Sequence, residues 1–202
     1  MSLGVPAYVF ETSDNLVSRL TDVPLDLGVL AWWPKIIPAR LREIPRLGFI
    51  NTHPSLLPHN RGKHYNFWSI VEEAPFGVTL HWVDDGVDTG DIVAQQRIEY
   101  NWCDNGGTLY ARAQAAVAAL FRESYPRLRE GWLPRIPQAG KSSFHRSAEL
   151  DQASRIDLDG NYRGREILNL LRARTFPGHP GCWFEDNGER YEVRVEIRRT
   201  EK

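Results

Sequence analysis

Cysteine, lysine and methionine are scarce in this 202-residue chain, which has two Cys, four Lys and one Met. Neither Cys103 nor Cys182 has a partner at metal-ligand spacing. A disulfide framework and a zinc site are therefore not expected, and the cysteine usage fits a reducing, cytoplasmic setting. An excess of charge is lacking too. With 25 basic and 26 acidic residues the formal net charge is −1. No surplus is left to hold a polyanion, so no nucleic-acid partner is expected. No apolar run approaches ~18 residues, which excludes a membrane span of the helical kind. No basic N-terminal region leads into an apolar stretch, so no signal peptide is expected. No serine sits in a Gly-x-Ser-x-Gly setting, which argues against a covalent enzyme intermediate at a nucleophile elbow.

What is present is an ordinary globular balance, 42% hydrophobic and 25% charged. The length suits one domain, or one domain with a small appendage. Arginine outnumbers lysine 21 to 4, which reflects genome base composition more than chemistry, and seven Trp supply core and groove walls.

The pattern along the chain is that of an α/β fold. A short strand is expected around Tyr8-Val9-Phe10, then a helix capped by Ser13 or Asp14 and running through Leu20. Asp26 to Trp32 is almost continuously apolar, as in a strand buried on both faces of a parallel sheet. A short helix over Lys35 to Glu43 separates it from a second buried strand, Gly48 to Ile50, and this order suggests a right-handed crossover. A helix is expected over Tyr65 to Glu73, and strands over Gly77 to Val83 and Ile92 to Ile98. The longest helix opens at Asn105 or Thr108 and runs to about Arg129 through an Ala-rich centre. Pro134 and Pro137 begin a linker. Lys141 to Asp159 is polar and irregular, Arg163 to Arg172 is a short amphipathic helix, and Asn187-Gly188 marks a hairpin. These readings divide the chain into a main domain, 1–139, and a small helix-and-hairpin subdomain, 140–202.

Two loops carry most of the chemical information: Asn51-Thr52-His53-Pro54-Ser55-Leu56-Leu57-Pro58, followed by Arg61-Gly62, and Asp84-Asp85-Gly86-Val87-Asp88-Thr89-Gly90. Each follows an expected buried strand, and open α/β sheets bind ligands outside the carboxyl ends of their strands. Asn51, His53 and Asp88 would meet in one cleft. An amide donates without titrating, and a carboxylate beside a histidine favours its charged form. Such a trio suits attack by an external nucleophile on a carbonyl carbon. Spacing alone leaves the plainer readings open, a turn with a helix cap for the first loop and a tight turn for the second. A calcium loop fits poorly, because a strand follows directly and no glutamate closes the loop at EF-hand spacing.

The pair of segments NTHPSLLPHNRG and GVTLHWVDDGVDTGDI closely resembles the folate-dependent formyltransferase family, and within it the nucleotide-sugar N-formyltransferases and methionyl-tRNA formyltransferase. The resemblance runs from about residue 4 to about residue 135 and implies a partial Rossmann-like domain with a mainly parallel sheet. It also implies that the N-terminal part of the family's catalytic domain, an opening strand with a Gly-rich loop and helix, is absent. Its catalytic residues carry over to Asn51, His53 and Asp88. Its donor, 10-formyltetrahydrofolate, carries over to a pocket formed by Lys35, Ile36 and Ile37 on one side and Val83, Asp84, Asp85 and Gly86 on the other.

The acceptor is harder to read. The segment around Leu171 to Gly181 resembles the start of the C-terminal domain in the tRNA and sugar enzymes. A tRNA-binding module should carry a basic stripe, yet Lys141 to Lys202 holds 12 basic and 11 acidic residues. Together with the segment Asn60 to Trp68, this favours the amine of a nucleotide-linked amino sugar. The alternatives are a methionyl-tRNA formyltransferase-like enzyme, a formyltetrahydrofolate hydrolase and an inactive folate-binding remnant. A homodimer is expected, with a second copy covering the apolar strand Leu27 to Trp32.

Overall fold

The computed structural model describes residues 6–201. Residues 4 and 5, where the expected resemblance begins, lie outside the described residues. The order is α1 (Ser13–Leu20), β1 (Gly28–Leu30), α2 (Ala39–Arg42), β2 (Phe49–His53), β3 (Arg61–Gly62), α3 (Tyr65–Val71), β4 (Gly77–Trp82), β5 (Ile92–Arg97) and α4 (Gly106–Arg129). Then come β6 (Phe144–His145), α5 (Glu149–Ala153), α6 (Gly164–Arg174), β7 (Cys182–Asp186) and β8 (Glu189–Val193). Among the described residues no helix is long and apolar enough to cross a membrane.

The central sheet has the order β1-β2-β4-β5. β1 runs parallel to β2, but β2 and β4 pair antiparallel, as do β4 and β5. The α/β class stands, while the mainly parallel sheet gives way to a mixed one. The physical reason lies in the connections. Only residues 83–91 join β4 to β5, and a parallel return needs a crossover of about a dozen residues or more.

Alternation along β2 explains the layers. Ile50 enters the main core with Ile70, Val78, Leu80, Val93, Leu109 and Val117, formed between the sheet, α3 and α4. Phe49, on the opposite face, joins Ile37 and Leu41 in a smaller cluster under α1 and α2. Helix α4 starts where expected, with Asn105 and Thr108 forming a reciprocal capping box.

Three expectations need correction. Residues 6–10 form no strand, and Tyr8 and Val9 are exposed. The helix expected over Lys35 to Glu43 shrinks to α2, because Pro34 and Pro38 leave only the residues after Pro38 free to coil. The strand expected to be buried on both faces is short, and Val29 and Trp32 are exposed. The hairpin forms as expected, with Asn187 and Gly188 both at positive φ in the turn between β7 and β8.

Residues 141–159 are more ordered than their polarity suggested. β6 pairs with β3 in a small parallel sheet, and α5 follows. Ala173 of α6 enters the main core, so the C-terminal segment packs directly onto the sheet domain.

Candidate active site

A strand's period of two places Asn51 and His53 on one face of β2. The register puts His81 of β4 directly opposite Asn51. A register shift between Leu80 and His81 marks a bulge at this point, a common device for aiming a side chain near a site. Asp88 arrives from the β4–β5 loop with φ +55, a left-handed conformation that a non-glycine residue holds only where its surroundings fix it.

Those surroundings are specific. The Gly62 N–H donates to Asp88 Oδ2 at 2.9 Å. Gly62 itself has φ +89, and a Cβ there would run into the His145 carbonyl, so glycine is required. The Gln138 side chain donates to the backbone carbonyls of Asp88 (2.9 Å) and Gly90 (2.8 Å), and its own oxygen accepts from Arg61 at 2.7 and 3.1 Å. The loop that carries Asp88 is thus held from the linker that follows α4.

The three expected residues do converge. Asn51 Nδ2 donates to Asp88 Oδ1 at 3.2 Å and lies 3.2 Å from His81 Nε2. His53 Nδ1 lies 3.5 Å from Asp88 Oδ2, and its Nε2 lies 3.1 Å from the Asn60 carbonyl. His81 Nδ1 faces the Trp82 carbonyl at 2.8 Å. A carbonyl only accepts, so His81 Nδ1 donates to it, while Nε2 lies between the Asn51 amide at 3.2 Å and Asp88 Oδ1 at 3.4 Å. The Asn51 amide thus sits between His81 and Asp88, donating to the carboxylate.

Charge at this cluster is set by competing effects. Burial pushes the His53 pKa below 6.5, while Asp88 pulls it back up less strongly and His81 adds to the lowering. Burial also opposes ionisation of Asp88, but His53, His81 and the Gly62 N–H together outweigh it and hold the carboxyl well below the usual carboxylate range. The two shifts pull against each other, since a charged His53 is part of what lowers Asp88. Burial of the ring, which is 4% exposed, decides the matter in favour of a neutral resting His53. This departs from the sequence-based expectation that Asp88 keeps the ring charged. Both ring nitrogens nevertheless face acceptors, so a proton taken up during reaction is stabilised on each side.

The cluster stands between two openings. One is a cavity of about 490 Å³ lined by Asn51, His53 and Asp88 with Trp32, Lys35 and Lys63. The other is a narrower cleft where Ile36, Ile37, Val83, Asp84 and Gly86 meet Asn51 and Asp88. Of the residues expected around a donor, Lys35 lines the wider cavity instead, with its ammonium 4.8 Å from the centre of the Phe10 ring. Asp85 is turned to Arg42, forming an exposed ion pair. No group of three or more His, Cys, Asp or Glu side chains that would suit a metal ion occurs among the described residues.

Several site residues escaped the sequence reading. His81 looked like one more strand residue until pairing set it opposite Asn51. Asn60 is fully buried, hydrogen-bonded through its side chain to Ser69 and Ser143, and its carbonyl backs His53. Phe144, His145, Arg146 and Ser147, from the segment read as irregular, form one wall of the wider cavity. The only available signal was the Arg61-Gly62 pair, whose partner strand is more than 80 residues away.

Comparison with known proteins agrees with this geometry. Residues 9–124 match the family described as formyl transferase, and residues 149–199 match the N-formyltransferase dimerization C-terminal domain. A methionyl-tRNA formyltransferase from Thermodesulfovibrio yellowstonii is 33% identical over 165 residues, 81% of this chain and 52% of that protein. A 4-N formyltransferase from Francisella tularensis superposes with TM-score 0.86 at 28% identity, covering 94% of this chain and 78% of that one. A formyltransferase from Anoxybacillus kamchatkensis, solved with UDP-4,6-dideoxy-4-formamido-L-AltNAc and tetrahydrofolate, is 34% identical with TM-score 0.60, covering 66% of this chain and 69% of that one. The chain spans little more than half the length of the methionyl-tRNA formyltransferases it matches. The first match covers more than half of the chain and includes Asn51, His53 and Asp88, so this chain belongs to the formyl transferase family.

Proposed function

We propose that the chain acts as an N-formyltransferase that moves a formyl group from 10-formyltetrahydrofolate to the amine of a nucleotide-linked amino sugar. The observation that carries this reading is the position of Asn51 and Asp88 between two openings, with His53 lining the wider one. The narrower cleft, with Ile36, Ile37, Val83, Asp84 and Gly86, suits a planar donor ring. The wider cavity, with Trp32, Trp33, Lys35 and Lys63, suits a bulky anionic acceptor. The Anoxybacillus protein holds a formamido sugar nucleotide together with tetrahydrofolate, which supports both assignments.

In this mechanism the acceptor's neutral amine forms a bond to the formyl carbon, and the bond from that carbon to N10 of the folate breaks. The Asn51 amide stabilises the oxyanion that develops on the formyl oxygen, giving up its contact with His81 or Asp88 to do so. Neutral His53 takes the proton that the amine loses, and Asp88 and the Asn60 carbonyl stabilise the resulting cation. The proton then returns to N10, so no net proton is gained or lost.

The match to a dimerization domain at 149–199 supports a homodimer built through the C-terminal segment. That assignment moves the expected interface away from the strand at Leu27 to Trp32. Two free thiols fit a reducing compartment, the cytoplasm.

The test is a turnover assay with 10-formyltetrahydrofolate and, in separate reactions, UDP- and dTDP-linked 4-amino sugars, methionyl-tRNA and no acceptor. Release of tetrahydrofolate with a formylated sugar nucleotide is the expected result. Turnover only with methionyl-tRNA would move the chain to the tRNA branch, formate release without an amine would make it a hydrolase, and folate binding without turnover would make it a remnant. Light scattering should give twice the 23.2 kDa chain mass.

A further inference from the structure

Two backbone groups complete the surroundings of His53 and Asp88, and both belong to one short stretch of chain. The Asn60 carbonyl lies 3.1 Å from His53 Nε2, and the Gly62 N–H donates to Asp88 Oδ2 at 2.9 Å. Neither group aims itself. Asn60 and Gly62 both have positive φ, +54 and +89, and an asparagine keeps that conformation only where its neighbours fix it.

The neighbours come from β6. The N–H groups of Arg61 and Lys63 donate to the carbonyls of Ser143 (3.0 Å) and His145 (2.9 Å). The Gly62 N–H between them is thereby left facing Asp88. The Asn60 N–H donates to Ser143 Oγ at 3.0 Å. Yet β6 has only two residues, Phe144 and His145, and a pairing that short does not hold its own position.

One carboxylate anchors it. Glu72 stands just past the end of α3 and uses both oxygens. His145 Nε2 donates to Oε1 at 2.8 Å, and the Ser143 hydroxyl lies 3.1 Å from Oε2. Residues 143 and 145, two apart along an extended segment, share a face, so one side chain on α3 can reach both. The His145 ring also lies flat on Trp68 of α3, with centroids 3.8 Å apart and planes 7° apart. Glu72 itself borders neither opening of the site, so any influence it has on the reaction passes through β6.

We propose that Glu72 is a positioning residue for formyl transfer: through Ser143 and His145 it fixes β6, and β6 fixes the Asn60 carbonyl against His53 and the Gly62 N–H against Asp88. The assignment rests on the reading of the chain as a formyltransferase and adds how its two titrating side chains are held. Asp88 is then secured from two sides, its backbone by Gln138 and its carboxylate by the Glu72 clamp.

The experiment compares Glu72→Ala, Glu72→Gln and Glu73→Ala with the parent chain. It reads steady-state formyl transfer and, separately, the NMR signals of the histidine rings, with the His53 signal identified by its loss in His53→Gln. In Glu72→Ala, kcat should fall about tenfold while the KM for folate stays within about twofold, since polar groups move slightly and the folate cleft is untouched. The His53 signal should move with it. Glu72→Gln, whose side chain still accepts from His145 and donates to Ser143, should restore most of kcat and of the signal. Glu73→Ala removes contacts to Arg165 and Asn169 on α6 instead. It should lower the thermal midpoint but leave kcat and the His53 signal as in the parent. Ser143→Ala is a smaller change that covers a Glu72→Ala chain too unstable to assay. It should give the same kind of loss, recovered by Ser143→Thr.

Parental kcat and an unmoved His53 signal in Glu72→Ala and Ser143→Ala overturn the proposal. A loss of kcat without movement of the His53 signal also overturns it, since Glu72 then acts elsewhere. So does a loss of equal size in Glu72→Gln, which would make the effect one of charge, or in Glu73→Ala, which would make it one of stability. A parent chain that binds 5-formyltetrahydrofolate without turnover overturns the transferase reading alone, and the His53 signal still decides the clamp.

Discussion

The two edges of the central sheet are finished in different ways. Beyond β5, Ile92 and Ile136 exchange backbone hydrogen bonds of 2.8 and 3.1 Å, and the Trp82 indole donates to the Pro134 carbonyl at 2.7 Å. Gln138 then reaches back to the Asp88 loop. The linker after α4 seals that edge and fixes the Asp88 loop in one operation. At the other edge β1 pairs with β2 alone among the described residues, and Val29 and Trp32 are exposed. Asn51, His53 and His81 stand on β2 and β4, which have a strand on either side, and Asp88 stands on a loop tied down by the sealed edge. β1 supports the cluster through its main chain, with Leu30 paired to Asn51 and its carbonyl accepting from Thr52 Oγ1 at 3.1 Å, so its exposed side chains matter less than its backbone.

The largest effect should follow from breaking the well-supported side at its centre. Asn51→Ala removes the amide that bridges His81 and Asp88 in the resting site. With the oxyanion donor gone, kcat should fall by ~10²–10³. The half-buried position predicts a thermal midpoint close to that of the parent. Formyl transfer within a few-fold of the parent would remove Asn51 from the mechanism.

Next in size is the seal itself. Gln138→Leu keeps the bulk of the side chain but leaves two backbone carbonyls and Arg61 without their partner. Each lost bond of this kind costs roughly 1–3 kcal/mol where water cannot replace it. Because Asp88 sits at positive φ, the loop should relax. We expect kcat to drop by about tenfold with the KM for folate less affected, while Gln138→Glu, which still accepts from Arg61, should recover part of the loss. An equal loss in kcat for both variants, or none for either, would show that the carboxylate is held without the linker.

Much of this was readable beforehand, and the failures have physical causes. The Ala-rich centre and the Asn105 cap make α4 plain, and the paired loops single out Asn51, His53 and Asp88, which the structure brings together. Strand direction is not written in a strand's own residues but in the connections, and the nine-residue link from β4 to β5 is too short for a parallel return. Apolar content alone made Leu27 to Trp32 look internal, although burial depends on what lies alongside. Gln138, Asn60 and β6 were invisible for a related reason. They act through hydrogen bonds to partners far away in the chain, and such polar contacts leave no periodic trace.

Acid should weaken the cluster progressively. His53 has its folded pKa depressed below 6.5 and Asp88 below 3.8. In both cases the unfolded chain binds protons more readily than the folded one. Their contribution to stability is complete above pH 6.5, declines as the pH falls through the folded His53 value, and declines again below pH 3.8 as Asp88 is protonated. Activity should follow the first step, because a neutral His53 is needed to accept the amine's proton. The acid limb of kcat/KM is therefore expected below pH 6.5, measured from about pH 5 to about pH 8 alongside the thermal midpoint. A limb above pH 6.5 would mean that Asp88 prevails over burial and that the resting ring is charged.

The smallest effect is expected at the open edge. Val29 is the middle residue of β1, 36% exposed, and Val29→Thr keeps the β-branched shape that suits a strand while replacing a methyl with a hydroxyl. At a surface site with no special contact such a change falls within about 0.5 kcal/mol, so the thermal midpoint and kcat should both stay near those of the parent. Set beside the same comparison for Gln138, a null result would confirm that the sheet's structural dependence is one-sided. A loss comparable to that of Gln138→Leu would mean that the face of β1 is covered in solution. Repeating the measurement at several protein concentrations separates the two possible covers. A loss that grows on dilution identifies a second copy of the chain, as first expected for the strand at Leu27 to Trp32. A loss independent of concentration places the cover within the same chain.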